Sequence, residues 1–202
     1  MTRPFDLDLA LELAALAQRA GREIMTVYAT DFAVEIKSDN SPLTRADRAS
    51  HSLVKAELAR MLPDVPLVSE EGDHPDPAVR ARWPHHLLLD PLDGTKEFVK
   101  RNGEFTVNIA VVEGTRPILG VVHVPVAGLT YLGGPALGAF RLDGGRPAPI
   151  RALPAPAKDA VVIVSRSHPS PGLQGYLDTL ESPPPVPHGA PYKLCKPPEG
   201  SP

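Results

Sequence analysis

The sequence predicts an α+β protein in which helices cover a sheet, and three observations carry that expectation. Two long stretches near the N-terminus repeat apolar residues at helical spacing, two short apolar runs end abruptly in acids, and Phe105 to Leu142 is rich in β-branched residues broken by Gly-containing turns. From Asp6 to about Thr30, Leu9, Leu13, Leu16, Ala20, Ile24 and Val27 fall on one helical face, with Asp6 or Asp8 near the cap. Phe32 to Lys37 alternates weakly, as a strand does, and delivers Lys37 to the loop Ser38 to Pro42. A second helix is expected from about Thr44 to Leu62, with Ala46, Ala49, Leu53, Leu58 and Met61 on or near one face and Pro63 ending it. Thr44 stands as its N-cap and Asp47 as its third residue, a capping box with Asp in place of Glu.

The first acid-ended run is Val65 to Val68, followed by Ser69-Glu70-Glu71-Gly72-Asp73; the second is Leu87 to Leu89, followed by Asp90-Pro91-Leu92-Asp93-Gly94-Thr95. A solvated acidic loop would account for the first, and a tight turn with both Asp residues as turn formers for the second. One turn, however, needs only one Asx residue, and here two acids, a Pro, a Gly and a Thr share a six-residue frame. Two carboxylates presented at a strand end can hold a hard cation. Pro91 is expected to stop the strand, leaving the turn free to aim both Asp side chains and the Leu92 carbonyl at one point. Gly94 lets backbone approach a ligand closely, and Thr95 to Lys100 reads as the first turns of a helix, where free amides suit a phosphate. Metal and phosphate together imply phosphoryl chemistry. Neighbouring strand ends of an open sheet can converge on one crevice, which would bring the acids after Val68 toward Asp90.

Downstream, FTVNIAVV (105–112) and ILGVVHVPV (118–126) form an expected antiparallel hairpin, and Leu129 to Leu132 and Ala139 to Leu142 extend the meander. Its Gly-rich turns carry no GxGxxG or GxxxxGKS frame, so a nucleotide-binding fold of those kinds is not indicated. Ala160 to Val164 reads as a further strand and Leu173 to Leu180 as a short helix. The division expected is a catalytic domain over 1–150, the start of a second α/β domain over 151–182 and a Pro-rich irregular tail over 183–202, since 14 of the 25 prolines lie from Arg146 onward. A formal net charge of −3 without a basic stripe argues against nucleic acid polymers as partners. The apolar runs are strand-sized, so no stable membrane insertion is expected, and a cytoplasmic protein follows. Cys195, the only cysteine, excludes an internal disulfide, and His74, His85 and His86 lack metal-ligand spacing.

DPLDGT resembles the metal-binding signature of the inositol monophosphatase-like superfamily of lithium-sensitive, magnesium-dependent phosphatases, and the continuation Lys96-Glu97-Phe98 then KRNGEFTVNIAVVEG resembles its 3'(2'),5'-bisphosphate nucleotidase branch. The resemblance implies a layered α/β sandwich of the sugar-phosphatase type with an incomplete second domain, and removal of the 3'-phosphate of adenosine 3',5'-bisphosphate. It implies that Glu70, Asp90 and the Leu92 carbonyl hold one Mg²⁺ and that Asp90 and Asp93 begin a second site, oxygen donors alone favouring Mg²⁺ over zinc. It further implies that Thr95 and Asp47, with Glu70, orient the attacking water, and that Gly94 and Thr95 meet the phosphate. Lys37 would line the phosphate site, Glu71 would stand behind Glu70, Ser165 to His168 would form a substrate-side loop, and two copies would pair. A Trp-Asp-x-Ala-Ala-Gly-like motif that completes the second ion site in such enzymes, and a Gly-Ser-Ser-x-x-Lys-like frame, do not occur in these 202 residues. Two alternatives follow: an inositol or sugar monophosphate phosphatase, or an inactive metal- or phosphate-binding remnant.

Overall fold

The computed structural model describes residues 4–36, 42–152, 162–165, 172–179 and 186–188; Lys37, the 166–168 loop and Cys195 lie outside them. Helix α1 (Leu7–Tyr28) begins where the Asp6 carboxylate accepts the Leu9 amide at 3.0 Å, and its apolar stripe is buried from Leu9 to Val27. Strands β1 (Val34–Ile36) and β2 (Pro42–Thr44) pair antiparallel and lead into α2 (Arg45–Met61). The capping box forms as expected: the Thr44 amide and hydroxyl both donate to Asp47 Oδ2, at 2.7 and 2.6 Å. After β3 (Leu67–Ser69) and the single-turn α3 (Pro77–Arg80) come β4 (His85–Asp93) and the short α4 (Thr95–Val99). The meander β5 (Thr106–Glu113), β6 (Arg116–Val124), β7 (Leu129–Gly134), β8 (Gly138–Asp143) and β9 (Ala148–Ile150) follows.

Strands β3 to β9 form one seven-stranded sheet in sequence order, parallel only between β3 and β4. Helices α1 and α2 lie on one face, where Leu87, Leu89, Val107, Ile109, Leu119 and Val121 meet Leu9, Leu13, Ile24, Val54 and Leu58 in one core. Burying each such side chain stabilises the fold by roughly 1.5–3 kcal/mol, and this sum sets the sheet's position under the helices. Separately, β10 (Ile163–Ser165) pairs in parallel with β11 (Val186–His188), a strand inside the stretch read as irregular from sequence; α5 (Leu173–Leu177) is shorter than expected.

Strand β4 differs from expectation in a way that matters for the acids. It does not stop at Pro91 but runs on to Asp93. The register against β5 shifts between Asp90 and Asp93, so Pro91 sits at a bulge, where a residue without an amide proton loses no ladder bond. Leu88 is 40% exposed, so the run is buried on alternate residues only. Just beyond, Gly94 adopts the left-handed φ of 93° that turns the chain into α4, and Phe98 anchors that helix against Phe105, Tyr28 and Phe32.

His123 on β6 is buried beneath α1, its Nδ1 donating to the Leu129 carbonyl at 3.1 Å and lying 2.9 Å from Thr130 Oγ1. Burial lowers its pKa from 6.5 to about 4. The unfolded chain therefore binds a proton that the fold does not between those values, and stability falls as pH drops from about 6.5 toward about 4. The loss is on the order of 3 kcal/mol. In thermal melts across that range, His123→Gln is expected to reduce the acid-side slope; an unchanged slope would show that the imidazole does not titrate this way.

Candidate active site

The residues singled out in the sequence come from α2, the end of β3 and the β4–α4 junction. Asp47, in the first turn of α2, is buried, and its two oxygens divide their partners: Oδ2 takes both Thr44 donors, while Oδ1 faces the Thr95 hydroxyl at 3.3 Å. Thr95 Oγ1 is also 3.2 Å from the Leu92 carbonyl. Burial pushes the Asp47 carboxyl above the ordinary range, with the Thr44 bonds opposing and Glu71 adding a like charge.

Glu70 follows β3, and its amide donates to the Leu89 carbonyl at 3.1 Å, which fixes its backbone beside Asp90. Asp90 Oδ1 accepts the Leu92 amide at 3.2 Å, and Asp93 Oδ2 accepts Asn108 Nδ2 at 3.1 Å. The Asp90 carboxyl is pushed up to about 9 by burial, then by the charge of Asp93, then by Glu70, to which it also makes a hydrogen bond that only a protonated acid can give. That shift is the electrostatic signature of Glu70, Asp90 and Asp93 converging. Among the described residues no three or more His, Cys, Asp or Glu side chains are grouped closely enough to hold a metal ion as they stand. A cleft of about 370 Å³ opens from these acids across the sheet face away from α1 and α2, over Leu88, Ala110 and Val122.

The structure thus brings together Asp47 with Thr95, and Glu70 with Asp90 and Asp93, with Leu92 and Gly94 in the connecting turn. It also reveals polar residues that the sequence reading passed over. Ser50 Oγ donates to the Pro91 carbonyl at 2.7 Å, His51 Nδ1 lies 2.9 Å from Ser69 Oγ, and Asn108 holds Asp93. Ser50 and His51 stand three and four residues after Asp47, on the same helical face, and that spacing was the available signal. For Asn108 the signal was a lone amide inside an apolar strand. No helix among the described residues is long and apolar enough to cross a membrane.

The sequence profile of the inositol monophosphatase family matches residues 6–182. The chain is 42% identical over 191 residues to the 3'(2'),5'-bisphosphate nucleotidase CysQ of Escherichia coli O157:H7, covering 94% of this chain and 76% of that protein. Among solved structures it resembles CysQ from Bacteroides thetaiotaomicron, with a TM-score of 0.77 and 33% identity over 95% of this chain and 76% of that one. It shares its fold with an IMPase/NADP phosphatase solved with Mg²⁺ and phosphate, at a TM-score of 0.70 and 18% identity over 91% of this chain and 67% of the other. On the match of its sequence and of its layered α+β fold alike, the chain belongs to the inositol monophosphatase family.

Proposed function

We propose that this protein is a Mg²⁺-dependent 3'(2'),5'-bisphosphate nucleotidase that converts adenosine 3',5'-bisphosphate to adenosine 5'-phosphate and inorganic phosphate. The observation that supports the reading is that Glu70 and Asp93 both act on Asp90, in a turn whose next residue, Thr95, meets Asp47. The choice of substrate rests on the nucleotidase relatives and on the Lys96-Glu97-Phe98 continuation.

The donor set fits a hard divalent cation. Its members are oxygens only: the carboxylates of Glu70, Asp90 and Asp93 and the Leu92 carbonyl. Burial, and after it the charges of Asp93 and Glu70, push Asp90 up to about 9, and a cation would offset those charges more completely than one proton does. When bound, Mg²⁺ supplies positive charge against the phosphate oxygens and makes water acidic enough to attack phosphorus.

Thr95 has a single hydroxyl proton and two acceptors within 3.3 Å, Asp47 Oδ1 and the Leu92 carbonyl. Donation to Asp47 leaves the Leu92 carbonyl available as a ligand and turns the lone pairs of Thr95 outward, where they accept a proton from the attacking water. Asp47, buried with its pKa raised, has the basicity to draw on that proton through Thr95. Gly94, lacking a Cβ, lets the turn backbone approach the phosphate.

With Mg²⁺ present, phosphate release from adenosine 3',5'-bisphosphate is expected to exceed release from inositol monophosphate. Asp93→Asn should lower it by more than about 100-fold, since even groups behind a ligand cost 10- to 100-fold when changed. Faster release from inositol monophosphate would overturn the substrate, and equal rates for the variant would overturn the site.

A second expectation concerns stability without divalent cations. The folded protein holds the Asp90 proton up to about 9, while the unfolded chain releases it near 3.8, so stability falls as pH rises between those values. Asp90→Asn should flatten that decline and raise the melting temperature at pH 8 by at least about 3 °C, the shift that 1 kcal/mol produces in a chain of this size. Mg²⁺ should raise the melting temperature of the parent protein and not of the variant. A variant less stable at pH 8 would contradict this account.

A further inference from the structure

Three contacts of α2 reach the two acid-bearing segments. Asp47 reaches Thr95 after the Asp93–Gly94 turn, Ser50 reaches the Pro91 carbonyl between Asp90 and Asp93, and His51 reaches Ser69 immediately before Glu70. Positions 47, 50 and 51 are related by steps of three and four residues, so they form one strip on the helix. The same helix sends Val54 and Leu58 into the core, which fixes its rotation and height over the sheet.

We propose that Ser50 and His51 are positioning residues that set the spacing between Glu70 and the Asp90–Asp93 pair, and so tune the affinity of the site for divalent cations. The inference rests on the assignment of these acids as the ion's ligands. Ser50 is fully buried, and its bond fixes a carbonyl inside the bulge, between the two aspartates it separates. His51 acts on the other partner. Ser69 is buried, its carbonyl accepts the Gly72 amide at 3.1 Å, and Glu70 and Glu71 are the two central residues of the turn so closed. A Cβ on Gly72 would lie 3.5 Å from His51 Cε1, so the ring stands near the far end of that turn. The bond from His51 Nδ1 to Ser69 Oγ fixes the start of the turn that carries Glu70. These two contacts add to the Glu70 amide on Leu89 and to the strand pairing in fixing the spacing of the three acids.

The test reads Mn²⁺ binding directly, from the electron paramagnetic resonance signal of the free ion, with no substrate present. His51→Phe and Ser50→Ala are each expected to weaken Mn²⁺ binding about tenfold, the low end of the effect of groups that orient metal ligands. His51→Asn, which puts an amide where Nδ1 stands, is expected to restore most of the affinity. Ser69→Ala should weaken binding as His51→Phe does, and the double variant should be no weaker than either single one, because both delete the same bond. Unchanged Mn²⁺ affinity in the Phe and Ala variants, or Asn failing to differ from Phe, would overturn the proposal and leave both residues as ordinary packing. Should His51→Phe fail to fold, Ser69→Ala and Ser50→Ala carry the same comparison. A protein that binds Mn²⁺ with these differences yet spares adenosine 3',5'-bisphosphate would refute the assigned substrate alone.

Discussion

Asp93 and Glu70 each bring negative charge against the buried Asp90, and holding them together despite that is the constraint around which the rest of this fold is arranged. Two like charges about 4 Å apart are worth roughly 4 kcal/mol of repulsion at the effective dielectric near a protein surface, a large share of the 5–15 kcal/mol by which a domain is usually stable. The Leu92 amide on Asp90 and Asn108 on Asp93 hold the acids locally. The larger frame is the parallel pairing of β3 with β4, the Glu70 amide on Leu89, and a core that fixes α1 and α2 against β4 to β7. Burial, with the charges of Asp93 and Glu70, pushes the Asp90 carboxyl up to about 9.

The bulge in β4 solves a separate geometric problem. Side chains alternate along a strand, so residues three apart, as Asp90 and Asp93 are, would face opposite sides of a regular one. Here Asp90 pairs with Asn108 and Asp93 with Thr106, so three steps on β4 answer two on β5. Asn108 and Thr106 share a face, and the two aspartates opposite them are brought to the same side. Pro91 suits the extra position because it has no amide proton for the ladder to miss. The Pro between the acids thus belongs to the strand that aligns them.

Much of this was legible in the sequence because it is written in local pattern. The α1 stripe from Leu9 to Val27, the Thr44–Asp47 box and the meander from Thr106 to Asp143 each depend on residues within a few positions of one another. The pairing of Asp47 with Thr95 came through resemblance, and no spacing rule spans 48 residues. What was missed depends on pairing between distant segments: the extension of β4 past Pro91, the bond from Ser50 to its carbonyl, the His51–Ser69 contact, and β11 at 186–188 opposite β10. A proline ends a strand by local rules, and only the partner strand reveals that it sits at a bulge.

Asp47 joins the cap of α2 to the chemistry through the division of its two oxygens. Thr44 offers two donors to Oδ2, its amide and its hydroxyl, and the hydroxyl is oriented for this because its own oxygen accepts the Ala46 amide. With Oδ2 so engaged, the carboxylate plane is fixed, and Oδ1 is the atom left to meet Thr95. The cap therefore decides which way the carboxylate points, and an asparagine could not take its place without loss. If its amide nitrogen faced Thr44, two donors would confront a donor; if it faced Thr95, the threonine would accept from it and give its own proton to the Leu92 carbonyl instead. A residue whose usual work is to start a helix is thus held, by the requirements of that work, with Oδ1 facing the Thr95 hydroxyl.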